Sequence, residues 1–268
     1  MEVTGNATRQ RWEVIEPWNL ARPSRRGPWL YNAKADPCYT SLETLDATRD
    51  RWSALSREGA PATREDIEKR LAELDAHDSM ADAGVPENRI NQIFSADAGL
   101  NTDAGFNHPA IGNTGNWQSL GLGSASELTT DRLLPTSKSD ANTFRSALEK
   151  GFKINSVDGK DVTFDNAILE HWKEENKTKA DEIGRLKHLT NAIRTIRAPH
   201  EVWEQANGQR AYVRAFSEPI TKNGKTVEKR GYISGFVVGN DGKVRSYFYT
   251  HRTEAPDNAR KGMLKYKR

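Results

Sequence analysis

Residues 244–256, VRSYFYTHRTEAP, run from an aromatic strand pattern straight into Thr250-His251-Arg252-Thr253. Histidine is the side chain best placed to move protons near neutral pH. An arginine beside it can hold a phosphate through several donors at once. Cleavage of RNA by its own 2′-OH needs a base, an acid and a cation for the pentavalent phosphate, and two histidines with an arginine supply all three without metal or cofactor. His171, in LEHW, and His251 are the catalytic candidates. His188, inside an apolar-striped helix, and His200, after Pro199, read as structural. His108, in NHP near Asp103, reads as part of a turn. The chain has no H-E-x-x-H zinc pattern, no phosphate-cradling P-loop and no G-x-S-x-G. Its single cysteine, Cys38, excludes an intramolecular disulfide and a cysteine-based metal site, and reads as an incidental thiol.

The strands that must carry these groups repeat one theme. RAYVRAF sets Arg210, Tyr212 and Arg214 against Ala211, Val213 and Ala215. In the last hairpin, a two-residue turn at Asp241-Gly242 would pair Tyr232 with His251. That register places Tyr232, Ser234, Phe236, Arg245, Tyr247, Tyr249 and His251 on one face, and Ile233, Val237, Val244, Phe248 and Thr250 on a core face. Aromatic rings for base stacking and cations for phosphate make the first face a candidate surface for single-stranded nucleic acid. Arg210, Tyr212, Lys243, Arg245, Tyr249 and Arg252 are its expected substrate-binding residues.

Charge points the same way. The net charge of +3 conceals an asymmetry: residues 183–268 hold 18 Lys and Arg against 7 Asp and Glu, while residues 1–182 hold 22 against 30. A basic module of this kind is the electrostatic footprint of a polyanion partner. No stretch approaches the roughly 18 uninterrupted apolar residues of a spanning helix, and the N-terminus lacks the apolar core of a signal peptide, so the chain reads as soluble, with no membrane partner.

Residues 1–40 combine Trp12, Trp18 and Trp29 with four prolines and read as an irregular, docking arm. Helices are expected over 40–58 and 61–77, with a short one at 86–95. From about 79 to 139 the composition is that of a linker, rich in Gly, Asn, Ser and Ala. A second unit begins near Asp140: a capped helix (SDANTFRSALEKGF), a hairpin around Asp158-Gly159, and helices over 165–177 and 179–196. A meander of about four strands follows, with turns at Asn207-Gly208, Asn223-Gly224 and Asp241-Gly242. The expected fold is α+β, an N-terminal helical or irregular region (1–139) followed by helices packed on one face of a roughly four-stranded antiparallel sheet (140–268).

The segments ILEHW, IRTIRAPHEVWEQ, RAYVRAF and YFYTHR, in that order, resemble the phage-associated barnase, EndoU, colicin and RelE-like nucleases, toxin domains found at the C-termini of MuF-type phage head proteins and of polymorphic toxins. The resemblance covers residues 140–268. It implies a metal-independent ribonuclease toxin, with tRNA as a possible target, and an active site on the sheet face away from the helices. It places the family's helix histidine on His171, its strand cation on Arg214 or Arg210, and its terminal-strand residue on Thr250 or His251. It further implies a bacterial or phage origin, action in the target-cell cytoplasm after delivery, and an acidic immunity protein as partner, with a phage or secretion-system component docking on residues 1–60. The alternative from another class is a non-catalytic virion protein whose basic sheet binds nucleic acid or a protein neighbour. ADP-ribosyl transfer is disfavoured, because the last elements carry no E-x-E.

Overall fold

The computed structural model describes residues 64–175, 177–222, 225–238 and 241–268. The tryptophan-rich arm, the helix expected over 40–58, Cys38 and the docking segment 1–60 lie outside the described residues. Of the two units into which the chain divides, the described one, Asp75–Arg268, is compact. It begins well before the boundary expected near Asp140.

Helix α1 (Arg64–Ala83) outruns its expected end, and α2 (Glu87–Ala96) matches the short helix expected there. Beyond α2 the linker-like stretch is built into the sheet. It supplies β1 (Thr114–Asn116) and β2 (Asp131–Arg132), and it buries Ala110, Leu122, Ala125 and Leu128. Its small residues allow close approach rather than looseness; a Cβ on Gly105 would collide with the Tyr266 ring.

Next come α3 (Ala141–Lys150) and a hairpin of β3 (Phe152–Asn155) and β4 (Asp161–Phe164), as expected around Asp158-Gly159. Helices α4 (Ala167–Glu174), α5 (Lys179–Leu186) and α6 (Leu189–Arg197) follow. The single helix expected over 179–196 is two, broken at Lys187 and His188. The apolar stripe of Leu186, Leu189, Ile193 and Ile196 continues across the break, so periodicity alone does not disclose it.

Strands β5 (Glu201–Glu204), β6 (Arg210–Lys222), β7 (Lys225–Val237) and β8 (Val244–Thr250) form the expected antiparallel meander. After α7 (Glu254–Ala259), the C-terminal β9 (Lys261–Lys267) pairs with β5. Among the described residues the sheet has seven strands, in the order β1-β9-β5-β6-β7-β8, with β2 parallel to β6 beyond the end of β5.

Both faces of the sheet are covered. On one, α4 and α5 lie against β8 and α6 against β6 and β7. Here Phe144, Trp172, Ile193 and Ile196 share a core with Tyr212, Phe216, Ile233 and Tyr247. On the other face the 110–128 segment and α7 bury Trp203, Val213, Tyr232 and Leu264. This second layer is held by a buried ion pair: Arg260 Nε and Nη2 donate to the Glu201 carboxylate at 2.6 and 2.9 Å, and Arg260 Nη2 also donates to the Gly123 carbonyl.

The register corrects the expected faces. Tyr232 pairs with Thr250, not His251, and the pairing shifts again between Phe236 and Val237. A one-residue slip exchanges the two sides of a strand. Tyr247 and Tyr249 therefore join Ile233 on the helix-covered side, while Phe248 and Thr250 join Tyr232 and Ser234 on the other; Ser246, beside the irregularity, accepts from Trp172 Nε1 of α4 at 3.0 Å. The alternation Arg210, Tyr212, Arg214 likewise points under the helices, where all three are buried. The aromatic and cationic stripe is largely interior, packed rather than offered to solvent.

Candidate active site

The end of β8 brings together the groups that can exchange protons. Tyr249 stands on the helix side opposite Ile233, and its ring crosses β7 towards β6. It can cross because residue 231 is glycine: a Cβ there would collide with the Tyr249 ring. Tyr249 Oη thereby donates to Glu218 Oε2 on β6 at 2.7 Å. Burial, then this hydrogen bond to a carboxylate, pushes the phenol well above its ordinary range, so it stays a donor.

His251 follows directly on the strand, its ring edge-on to Tyr249 at 5.1 Å. His251 Nδ1 lies 2.9 Å from the Arg230 carbonyl oxygen. A carbonyl only accepts, so Nδ1 carries the hydrogen. That leaves Nε2 as the atom that gains or loses a proton, and it lies 3.6 Å from Glu218 Oε2. Both side chains reach solvent, at 33% and 29% exposure. Beneath them, His188 at the start of α6 stacks on Tyr249 with ring centroids 4.3 Å apart. Burial, with smaller contributions from the charges of Lys187 and His251, holds His188 down to about 3, so it is neutral and serves as a platform.

The other residues singled out in the sequence are dispersed. Thr250 points to the opposite sheet face, and its Oγ1 accepts from the Arg252 backbone N–H at 3.1 Å. Thr250 and His251 thus lie on opposite sides, as the alternation of side chains along a strand requires, and only His251 shares the side of Tyr249. Arg252 and Arg245 are exposed. Lys243 pairs with Asp165 at 2.8 Å, at the far end of β8. His171 lies beside Glu174 and Glu175 of its own helix region, at 3.7 and 3.3 Å. Arg210 pairs with Asp158 at 2.7 Å, in the turn between β3 and β4, and Tyr212 is fully buried.

Arg214, expected to face a phosphate, is fully buried in a second charge cluster. It donates to Asp97 at 2.8 and 3.2 Å and to Asp131 at 2.7 Å. Arg194 donates to the same Asp97 at 2.9 and 3.1 Å, while His200 lies 3.4 Å from Asp131 and Arg268 pairs with Asp131 as well. Burial opposes the charge of Asp97, but Arg214 and Arg194 outweigh it and its carboxyl titrates below the ordinary range. This cluster joins the 97–131 segment to the sheet; its guanidinium groups are already matched by carboxylates.

Sequence reasoning missed Glu218 and read His188 as structural. Glu218 continues the alternation Arg214, Phe216, Glu218 along β6, a signal present in the sequence but overshadowed by Pro219. His188 is in the core, yet it is also the ring on which Tyr249 rests. Among the described residues, no group of three or more His, Cys, Asp or Glu side chains is placed to hold a metal ion, and no helix is long and apolar enough to cross a membrane.

Comparison with known proteins agrees with the fold. No curated protein and no solved structure matches the chain. Residues 140–267 match the family model described as phage-Barnase-EndoU-ColicinE5/D-RelE like nuclease2. The match bears out the resemblance drawn from ILEHW, PHEVW, RAYVRAF and YFYTHR, and spans α3 to β9, including Glu218, Tyr249 and His251. The C-terminal part of this chain carries a nuclease domain of the barnase, EndoU, colicin and RelE-like type.

Proposed function

We propose that the domain is an endoribonuclease that cleaves RNA through its own 2′-OH, with Glu218 as base and His251 as acid. The observation that carries this reading is the facing of Glu218 Oε2 and His251 Nε2 at 3.6 Å, both part-exposed and both held by Tyr249 and the Arg230 carbonyl. Glu218 takes the proton of the 2′-OH as O2′ attacks phosphorus. The bond from phosphorus to O5′ breaks, and protonated His251 delivers its Nε2 proton to the leaving oxygen. A 2′,3′-cyclic phosphate and a free 5′-OH result. Arg252, exposed and next to His251, supplies the cation for the phosphate oxygens, a role that Arg214 in its carboxylate cage is not free to take.

No step in this scheme requires a metal ion. An RNA-cleaving chain with a basic C-terminal third, 18 Lys and Arg against 7 Asp and Glu over residues 183–268, fits a toxin delivered by a phage or a secretion system into target-cell cytoplasm. It also fits an acidic immunity protein that covers the basic region in the producing cell. The chemistry is tested with a DNA oligonucleotide holding one ribonucleotide. Cleavage only 3′ to that nucleotide, leaving a cyclic phosphate and unaffected by EDTA, is expected. Cleavage of the all-DNA strand, or loss of activity on chelation, would overturn it.

A further inference from the structure

The hairpin of β6 and β7 is longer than the sheet that carries it. Strand β5 pairs with β6 only as far as Val213, β2 ends at Ser217, and β8 pairs with β7 no farther than Tyr232. Glu218–Lys222 and Lys225–Lys229 therefore pair only with each other, as a two-stranded ribbon projecting past the active-site end of the sheet. Directly paired residues share a side. Glu218 and Lys229 form one such pair, Ile220 and Val227 the next, and Lys222 pairs with Lys225 near the tip. The side that begins with Glu218 thus continues with Val227, 45% exposed, between two exposed lysines, Lys225 and Lys229. The reverse side offers Pro219, Thr221, Thr226 and Glu228, with no cation.

We propose that this one-sided ribbon is a docking arm for the RNA strand that enters the site, a reading that rests on the nuclease assignment above. Lys225 and Lys229 lie four residues apart, roughly 14 Å along a strand. That spans about four stacked nucleotides at ~3.4 Å each. Val227 between them offers an apolar contact to a base or sugar. Lysines that merely guarded an open sheet edge against aggregation would gain nothing from lying all on the site's side.

The test is binding of the full chain to a 12-nucleotide RNA with 2′-O-methyl groups throughout, which cannot undergo 2′-OH attack, followed by fluorescence anisotropy across salt concentrations. Two phosphate contacts contribute about 1.4 to the slope of log affinity against log salt, or roughly 20-fold in affinity at 0.1 M salt. The Lys225→Ala/Lys229→Ala variant should lose that slope and affinity, whereas Thr221→Ala/Thr226→Ala, on the reverse side, should not. An unchanged slope in the lysine variant overturns the arm, even if the wild type cleaves RNA. Slope lost in the lysine variant, with no cleavage of ordinary RNA by the wild type, upholds the arm while the catalytic assignment falls. If the wild type ignores RNA and the same lysines are needed to bind an acidic polypeptide, the ribbon serves a protein and the inference is wrong.

Discussion

Replacing Asp97 by alanine should unfold the C-terminal unit more effectively than any change at the candidate active site. Asp97 is the carboxylate shared by two buried guanidinium groups, with contacts at 2.9 and 3.1 Å to Arg194 and at 2.8 and 3.2 Å to Arg214. Arg214 would keep Asp131, but Arg194 would keep hydrogen bonds to neutral groups, the Arg132 carbonyl and the Asn191 side-chain oxygen, with Asp131 acting on it only through space. Removing one member of a buried pair leaves an uncompensated charge and costs about 3–5 kcal/mol. For a unit of this size that is a fall in Tm of roughly 6–20 °C, at about 2–4 °C per kcal/mol. Urea unfolding of full-length Asp97→Ala and wild type, followed by tryptophan fluorescence, measures the loss directly. A change below about 1 kcal/mol would show that the network contributes little and that residues 97–131 are an appendage after all. The same logic predicts that a fragment starting at residue 140 lacks Asp97, Asp131, β1 and β2, and is mostly insoluble or unfolded when expressed alone.

Three further outcomes follow from the site. Gly231→Ala forces the Tyr249 ring off its path; a loss of about 1–3 kcal/mol in stability and a clear drop in cleavage are expected from unfolding curves and initial rates. Tyr249→Phe keeps the ring and removes one hydrogen bond to a carboxylate, so about 1.5–3 kcal/mol is lost with the stacking on His188 intact. His188 titrates at about 3 in the folded unit, against 6.5 when free, so the unfolded state binds more protons as the pH drops through that window. Stability conferred by neutral His188 is complete above about 6.5 and falls below it by up to ~1.4 kcal/mol per pH unit, and His188→Phe should flatten that dependence in denaturation curves between pH 6.5 and 4.

The helices and hairpins of the nuclease unit were legible because each carries a local signal. Asp158-Gly159 closes β3 onto β4, and the apolar residues of α3, α4 and α6 recur at helical spacing. What escaped depends on partners distant in sequence. The stretch around residues 97–133 has a linker's composition, and nothing local reveals that Asp97 and Asp131 meet Arg194 and Arg214 across the fold. β9, with Leu264 and Tyr266 alternating against lysines, is short and follows a helix, and its pairing with β5 is not a neighbour's. The irregularity between Phe236 and Val237 moved the register by one residue and turned the aromatic stripe inward. His251 was found because its neighbours are chemically unusual. Glu218 was not, because only the fold carries it beside Tyr249.

The central claim is that Glu218 and His251 act as one proton-transfer pair. Its most direct test is kcat/KM for RNA cleavage by the full chain carrying Glu218→Gln, His251→Ala or both, with folding checked by circular dichroism. Each single change should lower kcat/KM by about 10²–10⁴, and the double change should cost little more than the worse single one. Near wild-type cleavage by either folded single variant would contradict the assignment and move the chemistry elsewhere on the domain.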